Sequence, residues 1–465
     1  MTHPAMPVLE EATYMKSNTC QHILIIGSGT REHAIAKALS KSASSPIISC
    51  LGSTENPGIM TICNNTEGVY RKGDINSPES TLTFAEEIQA NLAVIGPEAP
   101  LAAGVPDILR EHSIPVLGPD KNLAKIETSK SYARNFLYRT LPESCPDFRV
   151  ISDIFEAEIF LLQLGDSYVI KADGLTGGKG VKVSGDHLTN LDEAMTYCRE
   201  LLKPENSHMV IEEKLFGEEF SLMTITDGET CIHMPAVQDH KRAYNDDLGP
   251  NTGGMGSYSD SDHSLPFLSQ EDIAEARRMN ENVVEVLGKE HGKPYRGILY
   301  GGFMAVARGV KIIEYNARFG DPESLNLLTL LESDAAELFA AAAQGKLSKV
   351  SAVFSKKASV CKYAVPQGYP EAAVKGSPVH TTEVDKIVSA ELYLGSVDIQ
   401  DGILVTGGSR TAAVVAVGNT IAEAETIAEK AVSAIEGDLF HRNDIGTAPS
   451  LEKRINHMKT LREHP

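Results

Sequence analysis

Positive charge is the first thing this sequence has too little of. Its 465 residues carry 43 Lys and Arg against 63 Asp and Glu, a formal balance of −20. That deficit argues against a nucleic-acid or anionic-membrane partner, because such proteins displace counterions from phosphates with a net positive face. Long apolar runs are missing too: no stretch approaches the roughly 18 residues that span a bilayer. The first twenty residues have neither a basic start nor a continuous apolar segment, so they do not read as a secretory signal and 1–20 is an expected disordered tail. The seven cysteines form an odd, scattered set without a Cys-x-x-Cys pair, against a disulfide framework or structural zinc and in favour of a reducing, cytoplasmic setting. Tryptophan is absent, which excludes nothing by itself. Internal repeats and low-complexity tracts are also lacking. What remains is an ordinary globular composition, 42% hydrophobic and 23% charged, with a length that suggests about three or four domains or subdomains.

The strand-like run His22–Ile26 ends in Gly27-Ser28-Gly29 and opens an amphipathic stretch from Arg31 to Lys41. Asn91 to Ile95, followed by Gly96-Pro97, repeats the pattern, with a helix expected to about Glu111 and a strand at Ile114 to Leu117. Such alternation predicts an open parallel sheet with helices on both faces over ~21–120. From Tyr168 the rhythm changes. Tyr168 to Ala172 and Gly180 to Val183 are strands separated by a glycine-rich turn, close enough to pair antiparallel. A helix near Asn190 to Leu202 and strands at 208–212, 219–226, 230–237, 297–307 and 310–315 follow. The leucines and alanines of Glu323 to Gln344 recur at helical spacing and predict one core helix. The end of the chain, ~350–450, reads as strands (359–363, 411–417) and one helix (421–435), enough for a small closing domain.

Gly27 to His33 sits where a dinucleotide fingerprint would, at a helix start whose free N–H groups favour an anion. The third glycine is Glu32, and no acidic residue ends the second strand, Ile47 to Gly52, so a phosphate or sugar edge is favoured over a nicotinamide site. In Lys171-Ala-Asp-Gly-Leu-Thr-Gly-Gly-Lys-Gly-Val181, four glycines and two lysines make a loop whose N–H groups can approach polyphosphate. It leads into a strand, so it is not a Walker A loop. Period-2 alternation along Lys311 to Glu323 places Glu314, Asn316 and Arg318 on one face. A carboxylate and an amide oxygen together suit Mg²⁺, which takes one or two protein oxygens plus substrate phosphates. Gln238-Asp-His-Lys-Arg242 and the Gly/Asn/Pro segment 246–256 read as a mobile loop over a substrate.

Together these segments resemble the ATP-grasp ligases, and within them the glycinamide ribonucleotide synthetase (phosphoribosylamine-glycine ligase) family. The matching pieces, in family order, are REHA at 31–34, GPEAPL at 96–101, IKADGL at 170–175, GGKGV at 177–181, QDHKR at 238–242, GPNTGGMG at 249–256, EYNARFGDPE at 314–323 and NDIG at 443–446. The resemblance implies a chain of α/β and α+β domains. These are an N-terminal Rossmann-like (preATP-grasp) unit at 21–122, an ATP-grasp unit at 123–345 with a lid at about 138–213, and a C-terminal α+β unit at 346–465. It further implies ATP-dependent joining of glycine to 5-phosphoribosylamine through glycyl phosphate in de novo purine biosynthesis, with Mg²⁺ or Mn²⁺, by a monomer or weak dimer.

Residue by residue, the same resemblance puts Lys130, Lys171, Gly177, Gly178, Lys179 and Gly180 on the ATP phosphates. It puts the hinge residues Glu213, Lys214 and Leu215 on adenine, and Glu218 or Glu219, of which Glu219 is preferred, on the ribose. Glu314 and Asn316 match the metal ligands, and Lys171, Arg318 and Asp321 the catalytic group. Gly29, Arg31, Glu32, Glu98, Asp239, Lys241 and Arg318 fall to the other substrates. The chain departs from the family pattern at Thr30, where glycine is usual, at Lys214, where an aromatic is usual, and at the inserted Ser409. The rival readings are another ATP-grasp ligase, which would lack QDHKR with GPNTGGMG, a regulator without the metal pair, and an oxidoreductase.

Overall fold

The computed structural model describes residues 21–175, 180–203 and 207–464. The expected tail at 1–20 and three of the glycine-loop residues assigned to phosphate, Gly177, Gly178 and Lys179, lie outside them. The first block runs β1 (His22–Ile26), α1 (Thr30–Ser40), β2 (Ile47–Gly52), α2 (Pro57–Asn65), β3 (Tyr70–Lys72), α3 (Pro78–Glu87), β4 (Leu92–Ile95), α4 (Glu98–Ala103), α5 (Val105–Glu111) and β5 (Val116–Leu117). Its five strands are parallel in the order β3-β2-β1-β4-β5. Both faces are covered by helices, so the strands are apolar throughout: Ile23 to Ile26 and Leu92 to Val94 are fully buried. The chain order reverses between β1 and β4, and their carboxyl ends, with the 27–29 and 96–97 turns, open a crevice of the kind in which such sheets bind ligands. The single helix expected up to Glu111 is two, because Gly104 takes a left-handed conformation (φ 93°) between α4 and α5.

Next come α6 (Lys125–Thr128), α7 (Lys130–Thr140), β6 (Phe148–Ile151), α8 (Ile154–Leu164), β7 (Tyr168–Ala172), β8 (Val181–Val183), α9 (Leu191–Leu201) and β9 (Met209–Glu213). The strands form an antiparallel sheet, β6-β9-β7-β8. α8 and α9 cover it with a core of their own, in which Ile151, Leu161, Ile170, Cys198 and Ile211 meet apart from the main core. A small layer with a separate core is a unit that can move as one.

The largest sheet is built from β10 (Glu218–Thr226), β11 (Cys231–Asp239), β14 (Gly256–Ser259), β15 (Gly297–Ala305) and β16 (Val310–Asn316), with the short hairpin β12 (Arg242–Tyr244) and β13 (Leu248–Asn251) beside it. α10 (Gln270–His291) packs on it through Ile273, Ala276, Val283 and Leu287. The expected single helix over 323–344 is α11 (Glu323–Leu330) and α12 (Ala335–Gln344). Leu331 turns extended and bridges to Phe354, and the Asp334 carboxylate accepts from the Glu337 amide to start a new helix. The remaining elements are β17 (Ala358–Pro366), β18 (Val379–His380), β19 (Ala390–Leu394), β20 (Val397–Gln400), β21 (Ile403–Thr406), β22 (Ala412–Gly418), α13 (Ile421–Ser433), β23 (Glu436–Gly437), β24 (Leu439–Phe440) and α14 (Ala448–Glu463). β17 pairs with β14, so the C-terminal strands extend the large sheet in the order β16-β15-β10-β11-β14-β17-β22-β19. Among the described residues no helix is long and apolar enough to cross a membrane.

Candidate active site

A cleft of about 830 Å³ lies where the small antiparallel layer, the large sheet and the N-terminal crevice meet. Fourteen of the residues singled out in the sequence line it: Arg31, Glu98, Lys130, Lys171, Glu213, Lys214, Leu215, Glu219, Asp239, Lys241, Glu314, Asn316, Arg318 and Asp321. Gly29 and Glu32 face a second, smaller hollow of about 280 Å³, which shares Pro97, Asp321, Ser409 and Arg410 with the first.

Lys171 lies on β7 and is almost wholly buried (5% exposed), as are Glu212 on β9 (4%) and Arg134 on α7 (3%). Glu212 bridges the two cations, ion-pairing with Lys171 through Oε1 and accepting from Arg134 Nε at 2.6 Å through Oε2. Arg134 also donates to the carbonyls of Ile312 (3.1 Å) and Ile313 (2.5 Å), and Lys171 Nζ to Ile313 O at 3.3 Å. One buried triad therefore ties β7 and β9 of the small antiparallel layer to the backbone of β16. Burial favours the neutral form of Glu212, but Arg134 and Lys171 outweigh it and hold the carboxyl below its usual range. Burial lowers the Lys171 pKa, with Glu212 opposing.

Lys130 is the first residue of α7, where Ser129 caps the helix by accepting from Tyr132 N at 3.2 Å. Asp173 accepts from the amides of Lys130 (2.6 Å) and Ser131 (3.3 Å) and from the Ser131 hydroxyl, so the root of the glycine loop is stitched to a helix N-terminus. Lys130 Nζ rests on Gly174 O at 3.1 Å. Gly180 closes the loop, its carbonyl accepting from Ala172 N at 2.8 Å. At the hinge the Glu213 amide bonds to Asp147 O and the Lys214 amide to Ser167 O. The Leu215 amide has no partner among the described residues. Lys214 sends its ammonium away, to Ser184 O at 3.0 Å, leaving its stem on the cleft.

Glu314 and Asn316 stand on one side of β16, line the cleft and have no side-chain hydrogen bond among the described residues. Burial would neutralise Glu314, but Lys241, Lys171, Lys130 and Arg318 keep its pKa below the usual value. An ionised carboxylate and an amide oxygen, both unengaged and set among phosphate-type cations, fit a Mg²⁺-class ion that completes its shell with phosphates and water. Among the described residues there is no cluster of three or more acidic, His or Cys ligands. Arg318, just past the strand, pairs with Glu127 (2.9 Å) and more loosely with Glu98 (3.6 Å) and donates to Phe319 O at 3.0 Å. Its charge is thus fixed in place before any ligand arrives.

Glu218 and Glu219 are separated by the pleat of β10. Glu219 faces the cleft and pairs with Lys241, while Glu218 points to α14 and pairs with Arg454 and His457. Burial lowers the Lys241 pKa, but Glu219, Glu314 and Asp239 more than reverse this. Asp239 and Glu323 form an acidic pair. Burial and the neighbouring Glu323 push Asp239 well above the usual carboxylate range, and its Oδ1 is buried without a hydrogen-bond partner.

On the N-terminal side, Glu32 accepts from Gly29 N (2.5 Å) and pairs with Arg31 Nε (2.7 Å). It fills the space that a side chain at Gly27 or Gly96 would need. Its carboxylate is engaged inside the protein, and its part is to shape the turn. Asp321 is similarly occupied, accepting from Tyr363 Oη (2.5 Å), Thr30 Oγ1 (3.1 Å) and Arg410 Nη2 (3.0 Å). Thr30, Asp321, Tyr363 and Arg410 thereby join N-terminal turn, large sheet and C-terminal strands around the smaller hollow. Arg134, Glu127, Asp173 and Arg410 were not singled out in the sequence. Asp173 lies within IKADGL, without a role assigned to it there, and Arg410 follows the inserted Ser409, whereas Arg134 and Glu127 lie in helices α7 and α6 whose sequences look amphipathic and unremarkable.

Known proteins resemble this chain in both sequence and fold. Three family domains match in sequence: the N domain of phosphoribosylglycinamide synthetase at residues 21–127, its ATP-grasp (A) domain at 128–324 and its C domain at 359–448. The phosphoribosylamine-glycine ligase of Methanosarcina barkeri is 47% identical over 440 residues, covering 95% of this chain and 99% of that one, and that of Methanosarcina acetivorans is 46% identical with coverage of 95% and 98%. A crystal structure of phosphoribosylamine-glycine ligase from Thermotoga maritima superimposes with a TM-score of 0.75 at 29% identity, over 91% of this chain and 100% of the other. A biotin carboxylase from Campylobacter jejuni shares the fold alone, with a TM-score of 0.70 at 13% identity over 95% and 99% of the two chains. With three domains matched in order along the chain, and relatives nearly half identical over almost its whole length, this protein belongs to the phosphoribosylglycinamide synthetase family.

Proposed function

We propose that this protein joins glycine to 5-phosphoribosylamine at the expense of ATP, giving glycinamide ribonucleotide, ADP and phosphate for purine synthesis. The observation that carries the reading is the meeting, in one cleft, of Lys130, Lys171 and Arg318 with the unengaged oxygens of Glu314 and Asn316 and with the crevice of the N-terminal sheet. ATP lies with its adenine against the free Leu215 amide, its ribose toward Glu219 and its phosphates toward Lys130 and Lys171. Glu314 and Asn316 would hold a divalent cation, Mg²⁺ or Mn²⁺, which would supply neutralising charge to the ATP phosphates.

A glycine carboxylate is a poor electrophile. Its oxygen attacks the γ-phosphorus, the bond to the ADP oxygen breaks, and glycyl phosphate forms. The ribosylamine nitrogen then attacks the carbonyl carbon, phosphate leaves with the C–O electron pair, and the amine gives up a proton. Positioning and charge neutralisation dominate the first step. Arg318, held by Glu127 and Glu98, meets the transferring phosphoryl group, while Asp239 and Lys241 meet glycine. The turn at 27–33, with Arg31, and Glu98 receive phosphoribosylamine, for which Gly29 and Glu32 shape the turn and Asp321 braces the wall.

The working units in this reading are 21–122, 123–345 with the lid 138–213, and 346–465, in a monomer or weak dimer in the cytoplasm. An ADP-release assay in which ATP, glycine and phosphoribosylamine are omitted in turn tests it. Release should require all three; release that ignores glycine but answers to another carboxylic acid would replace the ligase identity.

A further inference from the structure

The C-terminal helix α14 begins at residue 448, where the last matched family domain ends. Its apolar contribution is small: Met458 is its single buried residue, with Leu451 and Leu461 only partly covered. Charge holds it instead. Arg454 donates to Glu218 Oε2 at 2.8 Å and to Asp247 Oδ2 at 2.9 Å, and His457 Nδ1 lies 2.6 Å from Glu218 Oε1. Arg462 donates to both oxygens of Asp272 at 2.9 and 2.8 Å.

Glu218 is the informative partner. It is buried and opens β10, and the next residue, Glu219, faces the cleft and pairs with Lys241. Arg454 itself lines the cleft. Asp247 has a second cation, Arg442 at 3.0 Å, whereas Glu218 has Arg454 and, if protonated, His457. Removing Arg454 therefore leaves a buried carboxylate poorly compensated. In such a variant the start of β10 would relieve that by shifting toward water, and Glu219 would move with it.

We propose that Arg454 is a positioning residue for the nucleotide: from a helix outside the matched domains, it anchors the start of β10 through Glu218 and so holds Glu219 and Lys241 where ATP needs them. This rests on the reading that Glu219 faces the ATP ribose. The test is the affinity of the full chain for a non-hydrolysable ATP analogue by calorimetry, together with steady-state kinetics, for Arg454→Met, Arg454→Lys and the double variant Arg454→Met/Glu218→Gln. Arg454→Met is expected to weaken analogue binding and raise the KM for ATP about tenfold while kcat stays within about twofold, the pattern of lost uniform binding. Arg454→Lys, and the double variant that removes the stranded carboxylate, should return to within about threefold of the parent. A purely structural role would lower the active fraction, and with it kcat, at constant KM.

Unchanged analogue affinity in Arg454→Met overturns the proposal, as does a double variant as weak as the single one. If the single variant fails to fold, the double carries the test alone, with an affinity within about threefold of the parent in support and a tenfold loss against. Analogue binding uses neither glycine nor phosphoribosylamine, so a parent enzyme indifferent to glycine would overturn the ligase reading and leave this result standing.

Discussion

Glu212→Gln probes the triad that joins the small antiparallel layer to the large sheet. The substitution keeps the volume of the side chain but removes the charge shared by two buried cations, Arg134 at 2.6 Å and Lys171 in direct contact. At about 3 Å and an effective dielectric of about 20, each pair is worth roughly 5 kcal/mol before desolvation. Breaking such a buried pair costs about 3 to 5 kcal/mol net, because the partners stay buried and unpaired. Urea unfolding should report a loss of that size, a large part of the roughly 5 to 15 kcal/mol that ordinarily separates folded from unfolded. Activity should fall for a separable reason. Glu212 opposes the burial that lowers the Lys171 pKa, so without it more Lys171 is neutral at pH 7 and kcat/KM for ATP should recover as the pH is lowered. The triple replacement Arg134→Met/Lys171→Met/Glu212→Leu should regain stability to within about 2 kcal/mol of the parent yet remain inactive. If Glu212→Gln were as stable as the parent to within about 1 kcal/mol, the triad would not be the strut inferred here.

Glu314→Ala should abolish turnover, since the metal would lose its one carboxylate in this pair; unchanged ADP release would remove the metal assignment. His240 is buried and its pKa is lowered to about 4 by burial, against 6.5 when unfolded. Stability should therefore be full above about pH 6.5 and fall by up to about 3 kcal/mol as the pH drops through 4, a slope that His240→Asn should flatten in a pH series of urea titrations. Asp173→Ala should raise the KM for ATP about tenfold by freeing the loop root from α7, with glycine KM unmoved in the same assay. Finally, free and ATP-bound structures superimposed on the large sheet should differ by a rigid shift of 138–213, and identical positions would count against a moving lid.

Much of this was readable in the residues. The two-residue period of 310–316 placed Glu314 and Asn316 together without any knowledge of the fold, and the glycine-rich turns at 27–29 and 96–97 marked the crevice at the ends of β1 and β4. α10 had complete local signals: Ser269 and Asp272 form its capping box and Gly292 its left-handed stop. It bears no functional motif. The break between α11 and α12 was marked by Asp334, a good N-cap, but the leucine spacing runs through it unbroken. What sequence alone does not show is pairing at a distance. Arg134 meets Glu212 and Ile312 across 78 and 178 positions, and on an amphipathic helix it looks like any surface arginine. The same holds for Glu32 and Asp321: the resemblance implied a substrate-binding and a catalytic residue, and the fold adds that their oxygens are engaged by Gly29 and Arg31, and by Thr30, Tyr363 and Arg410.

The central claim is that glycine is activated by phosphoryl transfer before it meets the ribosylamine, and oxygen tracing tests it most directly. With glycine labelled with ¹⁸O in its carboxylate, one labelled oxygen should appear in inorganic phosphate for each ADP released. Unlabelled phosphate, with one labelled atom kept in the amide carbonyl and the other lost to water, would contradict the glycyl phosphate route.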